Sequence, residues 1–289
     1  MTDLRPPLPV RTYRDFIAGQ TLLERARGVA RNAAILALST GRAVDKNDGW
    51  IRFPFYHHVF DDERRDFARQ LEFMAKHGDF IGLDDAAGMI EAGKRIDGRY
   101  FCISFDDGFK NWITNAMPIL VDHGVPAAFF VAARFIGTSV NADQEKLLGF
   151  YDSGDVLMEF LDWDDCRAMA DAGMTIGSHT VNHVHLNDLD DDATLAELAG
   201  SKQMIETQLG RACDHFCCPF GRANIDYRPG HHPEIAKRAG YRTFLATTRG
   251  AVRPGASPGA SEPATVMGIP RDHLLAGWGN YQLRHFFSR

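Results

Sequence analysis

From Trp50 onward, short apolar runs alternate with segments of helical composition, and that rhythm limits the folds open to the chain. The runs "WIRFPFYH", "FIGL", "YFCISF", "AAFFVAA", "MTIGS", "HFCCPF", "TFLATT" and "TVMGIP" read as strands. Between them, "DERRDFARQLEFMAKHG", "DWDDCRAMADAG", "DDATLAELAGSKQMIETQLG" and "HPEIAKRAG" read as helices, several closing on Gly, a common helix stop. Alternation of this kind predicts an α/β protein with a parallel sheet covered by helices, and the number of strands predicts a (β/α) barrel, irregular in outline. At 289 residues the chain can bury one large core. "VRPGASPGASEPA", Val252 to Ala264, reads as a flexible surface loop.

Residues 1–48 differ from the rest. "MTDLRPPLPV" is Pro-rich and extended. The segment that follows carries Phe16, Leu22, Leu23, Val29, Ile35 and Leu36 at helical spacing, with arginines between them. It predicts an N-terminal extension, 1–48, whose amphipathic helix packs outside a main domain at 49–289. A helix that meets a membrane surface or another subunit is the alternative.

The totals exclude some functions. A net charge of −6 gives no basic face for nucleic acid. No stretch approaches the roughly 18 apolar residues of a membrane span. The early run "AAILAL" is short and follows Arg25, Arg27 and Arg31, unlike a secretory signal. A cytoplasmic location is expected, with peripheral membrane association as the alternative. Five cysteines, an odd number, point to reduced core packing rather than a disulfide framework.

Unusual polar residues follow three of the apolar runs. "FCISF" runs into Asp106, Asp107 and Gly108; "MTIGS" runs into "HTVNHVH", with His179, His183 and His185; "HFCCPF" runs into Gly221 and Arg222. In a parallel barrel the C-terminal strand ends open onto one face, where active sites lie. His179 and His183, four apart, would face the same way on one helical turn and suit capture of a divalent metal. A carboxylate from a neighbouring strand end completes a two-His, one-carboxylate set with positions left open for water and substrate. One aspartate would then ligate the metal and the other accept a proton from water. Alternatively, an aspartate here simply caps the helix that begins in "FKNWITNAMPIL".

These residues resemble the polysaccharide deacetylases, the carbohydrate esterase group built on the NodB homology domain. "SFDDG" looks like the family's T-F-D-D-G motif, "SHTVNH" like its H-[ST]-x-x-H motif, and "CCPFG" like a variant of its R-x-P-Y motif. "FYHHV", "GVPAAFFVAARFIG" and "AGMTIGSHT" support the match, which covers about residues 50 to 275. The resemblance implies a distorted (β/α) barrel of seven to eight strands and metal-dependent removal of acetyl groups from an N-acetylated amino sugar. It makes Asp106 the general base and Asp107, His179 and His183 the metal ligands. Zn fits the set best, with Co, Ni, Mn or Fe as alternatives. Pro219, Phe220 and Gly221 would bind substrate, and the Phe220 backbone N–H would hold the oxyanion.

Two departures stand out. Cys217 occupies the place of the motif's Arg, as apolar residues do in the biofilm poly-N-acetylglucosamine deacetylases. "GIPRDHL" resembles a late segment of those variants, so Arg271 is expected to supply the guanidinium from another strand end. The Trp-containing and L-x-H motifs are not recognisable, which leaves His273 as the candidate general acid. His185 would support a ligand, His231 and His232 would open the next helix, and Cys218 would lie near the rim. A glycan-binding relative without activity, or a hydrolase of O-acetyl esters or cyclic imides, would use the same scaffold. The segment from Gly137 to Phe160 is expected to form a rim loop that helps select the substrate.

Overall fold

The apolar runs Trp50–Tyr56 and Arg99–Asp107 each break in the middle, and the halves join different sheets. The computed structural model describes residues 8–47, 49–151, 154, 156–255 and 265–288. Its strands are β1 (Trp50–Arg52), β2 (Pro54–Tyr56), β3 (Asp79–Phe80), β4 (Arg99–Phe101), β5 (Ile103–Asp107), β6 (Ala127–Val131), β7 (Thr175–Ser178), β8 (His215–Cys217), β9 (Thr243–Leu245), β10 (Met267–Ile269) and β11 (Asp272–His273). Eight form one curled parallel sheet, an open half-barrel in the order β10-β9-β8-β7-β6-β5-β2-β11. The other three form a small parallel sheet, β1-β4-β3. The expected (β/α) barrel is therefore the fold, with β1, β3 and β4 diverted to the side. The short β11 was not foreseen.

The helices are α1 (Tyr13–Phe16), α2 (Leu22–Ser39), α3 (Arg64–Ala75), α4 (Leu83–Glu91), α5 (Met117–Asp122), α6 (Gln144–Leu148), α7 (Trp163–Asp171), α8 (Asp191–Leu209), α9 (His232–Arg238) and α10 (Asn280–Phe287). Local chemistry marks their ends: the Asp190 side chain accepts from Ala193 N at the start of α8, and Gly210 closes that helix at φ 64°. Phe105 of β5 stacks on Phe129 of β6 at 4.9 Å and on Tyr56 of β2 at 5.5 Å, while Trp112 packs against both phenylalanines. Full burial of each such ring stabilises the fold by roughly 1.5–3 kcal/mol and fixes the strand ends above it.

The N-terminal segment lies against this body. Val10 N donates to Leu157 O, and Tyr13 N to Asp62 Oδ1. Helix α2 packs on α10, but of its apolar residues at helical spacing only Ile35 is buried; the larger part of its apolar face points to solvent. The Pro-rich start, residues 1–7, lies outside the described residues. So does most of the expected loop at 252–264, although Val252 itself is buried and bridges to Ile51. No helix among the described residues is long and apolar enough to cross a membrane.

Candidate active site

Consecutive strand residues point to opposite faces, which should separate Asp106 from Asp107. Asp107 stands at φ 97°, outside the strand region, and both carboxylates reach the same cavity. Gly108 follows at φ 107°, where a Cβ would lie 2.7 Å from Ile136 Cδ1, so only glycine fits the turn. Neither aspartate caps the next helical turn, whose N-cap is Asn111.

His179 and His183 do not lie on a helical turn, contrary to the expectation from their spacing. They belong to an irregular loop after β7, because Thr180 (φ 65°) and His183 (φ 57°) both take left-handed conformations. Side chains hold that loop: His183 N donates to Thr180 Oγ1, and Val181 N and Asn182 N donate to Glu197 Oε2 of α8. The rings still converge. His179 Nε2 lies 3.4 Å and His183 Nε2 3.2 Å from Asp107 Oδ1. His179 donates from Nδ1 to Cys217 O at 2.8 Å, which leaves the Nε2 lone pair free for a cation.

A four-coordinate ion with bonds of about 2.0–2.1 Å separates its ligand atoms by roughly 3.3 Å, so the three residues fit a small divalent metal. Burial pushes the His183 pKa down despite Asp107, keeping the ring neutral as ligation requires. Burial would raise the Asp107 carboxyl, but His57, His179 and His183 together hold it well below the ordinary range. Cys217, with Asp106 and His179, forms a second group of closely spaced donor atoms. That group suits a cation less well, because Arg271 already occupies Asp106 and burial holds the Cys217 thiol neutral.

Arg271 is fully buried immediately before β11. Its Nη1 and Nη2 donate to Asp106 Oδ1 and Oδ2 at 2.7 and 2.6 Å, and Nη2 also lies 2.8 Å from Cys217 Sγ. Its Nε donates to Ala246 O at 3.0 Å, and the guanidinium lies over the Phe55 ring at 4.1 Å. Burial alone would raise the Asp106 pKa; Arg271 outweighs it and keeps the carboxylate ionised.

A cavity of about 570 Å³ opens above these groups. Phe220 lines it at φ 60° with its ring stacked on His185 at 3.7 Å, while Pro219 and Gly221 form the turn behind Phe220 and do not line it. His185 Nδ1 lies 3.0 Å from the buried Asp226, so it braces Phe220 rather than the histidine ligands. His273 lines the cavity, 3.1 Å from His57 Nδ1, and burial with His57 and Arg249 pushes its pKa down to about 3. Cys218 is buried and does not line this cavity; His231 is the N-cap of α9 and His232 its first residue.

Sequence reasoning gave no role to several wall residues. His58 Nε2 lies 2.7 Å from Tyr151 Oη and its Nδ1 3.1 Å from Asn111 Nδ2. Phe16 of the N-terminal segment packs on both His58 and Tyr151. The adjacent histidines in "FYHHV" were the available signal for His57 and His58, and Tyr151 lies in the segment 137–160 expected at the rim; Phe16 carries no such signal.

The profile of the family described as "Polysaccharide deacetylase" matches residues 93–244, more than half of the chain. The chain belongs to the polysaccharide deacetylase family. The YxkH protein of Bacillus subtilis (strain 168), provisionally named a polysaccharide deacetylase, is 24% identical over 229 residues, 74% of each chain. Among solved structures, IcaB from Ammonifex degensii superposes with a TM-score of 0.65 at 19% identity, covering 84% of this chain and 99% of its own. The Streptococcus pyogenes deacetylase PplD gives 0.61 at 19% identity, covering 83% of this chain and 99% of its own. The BpsB deacetylase domain from Bordetella bronchiseptica gives 0.61 at 18% identity, with 80% and 98% covered. These likenesses establish that the curled parallel sheet is the deacetylase fold.

Proposed function

We propose that this polysaccharide deacetylase is a metal-dependent N-deacetylase acting on an N-acetylated amino sugar in a glycan or glycan precursor. The observation that carries the reading is one cavity holding two differently equipped carboxylates. Asp107 meets two imidazole Nε2 atoms, while Asp106 meets a guanidinium. Asp107, His179 and His183 would hold the cation, which supplies Lewis acidity to polarise an acyl carbonyl and lower the pKa of water.

The chain's own groups do the rest. Asp106, kept ionised by Arg271, takes the proton from the attacking water through the lone pairs that Arg271 leaves open. The Phe220 backbone N–H, turned by a left-handed φ, donates to the developing oxyanion. His57 delivers a proton to the departing amine, while His273, kept neutral by burial, orients the His57 ring through the 3.1 Å contact between their nitrogens. Phe150, Tyr151 and Phe220 offer aromatic walls to the apolar face of a sugar. A relative sharing the fold supports acetyl as the group removed: the PplD structure is described in complex with acetate.

The test is acetate release from N-acetylglucosamine oligomers, with chelation and metal re-addition, beside acetylated xylan and small cyclic imides. Chelator-sensitive acetate release from the amino-sugar oligomers is expected. Turnover confined to xylan or imides would replace this substrate class. Glycan binding with no turnover on any of them would make the chain an inactive relative.

A further inference from the structure

Helix α2 buries the wrong side for an ordinary surface helix. Its inner face, with Ile35 and Ser39, packs toward α10. On the outer face Leu22 is 85% exposed, Val29 70%, Leu23 59% and Leu36 54%. At about 100° per residue these four fall on one side, and Ala26, Ala30, Ala33 and Ala37 fill the space between them. No charge interrupts that face. Exposed arginines border it, Arg25 along one edge and Arg27 and Arg31 along the other. The helix's only acid, Glu24, is tied into the capping box with Thr21.

We propose that α2 docks the protein on an anionic lipid surface, with Leu22, Leu23, Val29 and Leu36 in the acyl boundary and the arginines at the headgroups. An apolar face edged by cationic side chains with long stems is the composition of helices that lie in a membrane interface. The charge distribution selects this occupant. Residues 11–42 carry six arginines against Asp15 and Glu24, in a chain whose net charge is −6. A second copy of the chain would bring the arginine edges of two helices together, whereas anionic headgroups complement both edges. The docking face also lies near the cavity. About six residues separate Phe16, in the cavity wall, from Leu22, a reach of at most roughly 20 Å. The inference rests on the surface alone and holds whatever the chemistry of the site.

The experiment is co-sedimentation of the full chain with vesicles of phosphatidylglycerol and phosphatidylcholine, against vesicles of phosphatidylcholine alone. Binding to the anionic vesicles, weakened by salt and at least about tenfold weaker on the neutral ones, is expected. Leu22→Asp with Val29→Asp should weaken it at least about tenfold, as should reversing Arg25, Arg27 and Arg31 to Glu. Unchanged circular dichroism and Tm would show that the variants fold, as the altered side chains are exposed. Failure to bind, or binding that both variants retain, overturns the proposal. So does a dimer that the leucine variant dissociates while vesicles are ignored, because the face would then be a self-contact.

Discussion

Arg271 grips Asp106 by both carboxylate oxygens, at 2.7 and 2.6 Å, across the Phe55 ring that lies between their strands. The family motif brings this guanidinium from β8, where Cys217 stands; here it arrives from the residue just before β11. With Nε, Nη1 and Nη2 all bonded, the guanidinium has little freedom to leave. The pair therefore sets the proton affinity of the group assigned as base.

Removing the guanidinium should move the acid limb of the activity profile. Burial raises the Asp106 pKa and Arg271 lowers it, so in Arg271→Ala the carboxyl should titrate at higher pH. The acid limb of kcat/KM against pH should move up with it. A buried carboxylate without its partner should also cost about 3–5 kcal/mol of stability, read by urea unfolding. A profile that keeps its acid limb in place would remove Arg271 from the chemistry.

Cys217 and Arg271 should be exchangeable as a pair and not singly. Cys217 Sγ lies 3.6 Å from Asp106 Oδ2, so an arginine at 217 in the present protein would place two guanidiniums on one buried carboxylate. Cys217→Arg alone should lose several kcal/mol of stability, about 3–5 on the scale of an uncompensated buried charge. Cys217→Arg combined with Arg271→Ala should recover much of the stability and at least tenfold of the activity lost in Arg271→Ala, roughly 1.4 kcal/mol of barrier. A double variant no better than the worse single one would show that the guanidinium must come from β11.

The sequence announces the site's ingredients more clearly than its joints. Asp106, Asp107, His179 and His183 stand out because two carboxylates and two imidazoles follow apolar runs, and parallel strands end on one edge. What brings them together is backbone geometry that ordinary residues do not advertise. Asp107, His183 and Phe220 all have positive φ, and a non-glycine residue gives no local sign of that. Periodicity likewise shows that α2 has two faces without saying which one the body covers; the covered face proved to be the one with Ile35. The break of Trp50–Tyr56 into two sheets depends on pairing with distant strands, and the His57–His273 contact joins residues 216 positions apart.

The two aspartates should separate metal binding from turnover. Asp107 Oδ1 sits between His179 Nε2 and His183 Nε2, whereas Asp106 faces Arg271. Asp107→Asn should therefore lose metal, at least tenfold in affinity by titration with Zn or Co. Asp106→Asn should retain it within a few fold while turnover falls about 10²–10⁴-fold, the usual worth of a general base. Metal content measured by elemental analysis decides the matter, and equal loss in both variants would refute the division of roles.

Glu63 should make the protein less stable as the solution approaches neutrality. It is buried at the start of α3, where its carboxylate accepts from Phe60 N at 3.2 Å and Gly277 N at 2.9 Å. Burial outweighs both bonds and raises its pKa from the ordinary 4.5 to about 7. The folded state thus holds this proton more tightly than the unfolded chain. The stabilisation is fully present below pH 4.5 and is lost as the pH rises through about 7. The loss should reach at most ~3 kcal/mol, since each tenfold difference in proton affinity between the folded and unfolded chain is worth about 1.4 kcal/mol. Glu63→Gln keeps the shape and an acceptor but cannot ionise. Urea midpoints taken between pH 4.5 and 8 should converge for the two proteins in acid and favour Glu63→Gln toward neutrality. Parallel curves across that range would mean that Glu63 is already ionised in the folded state at pH 5.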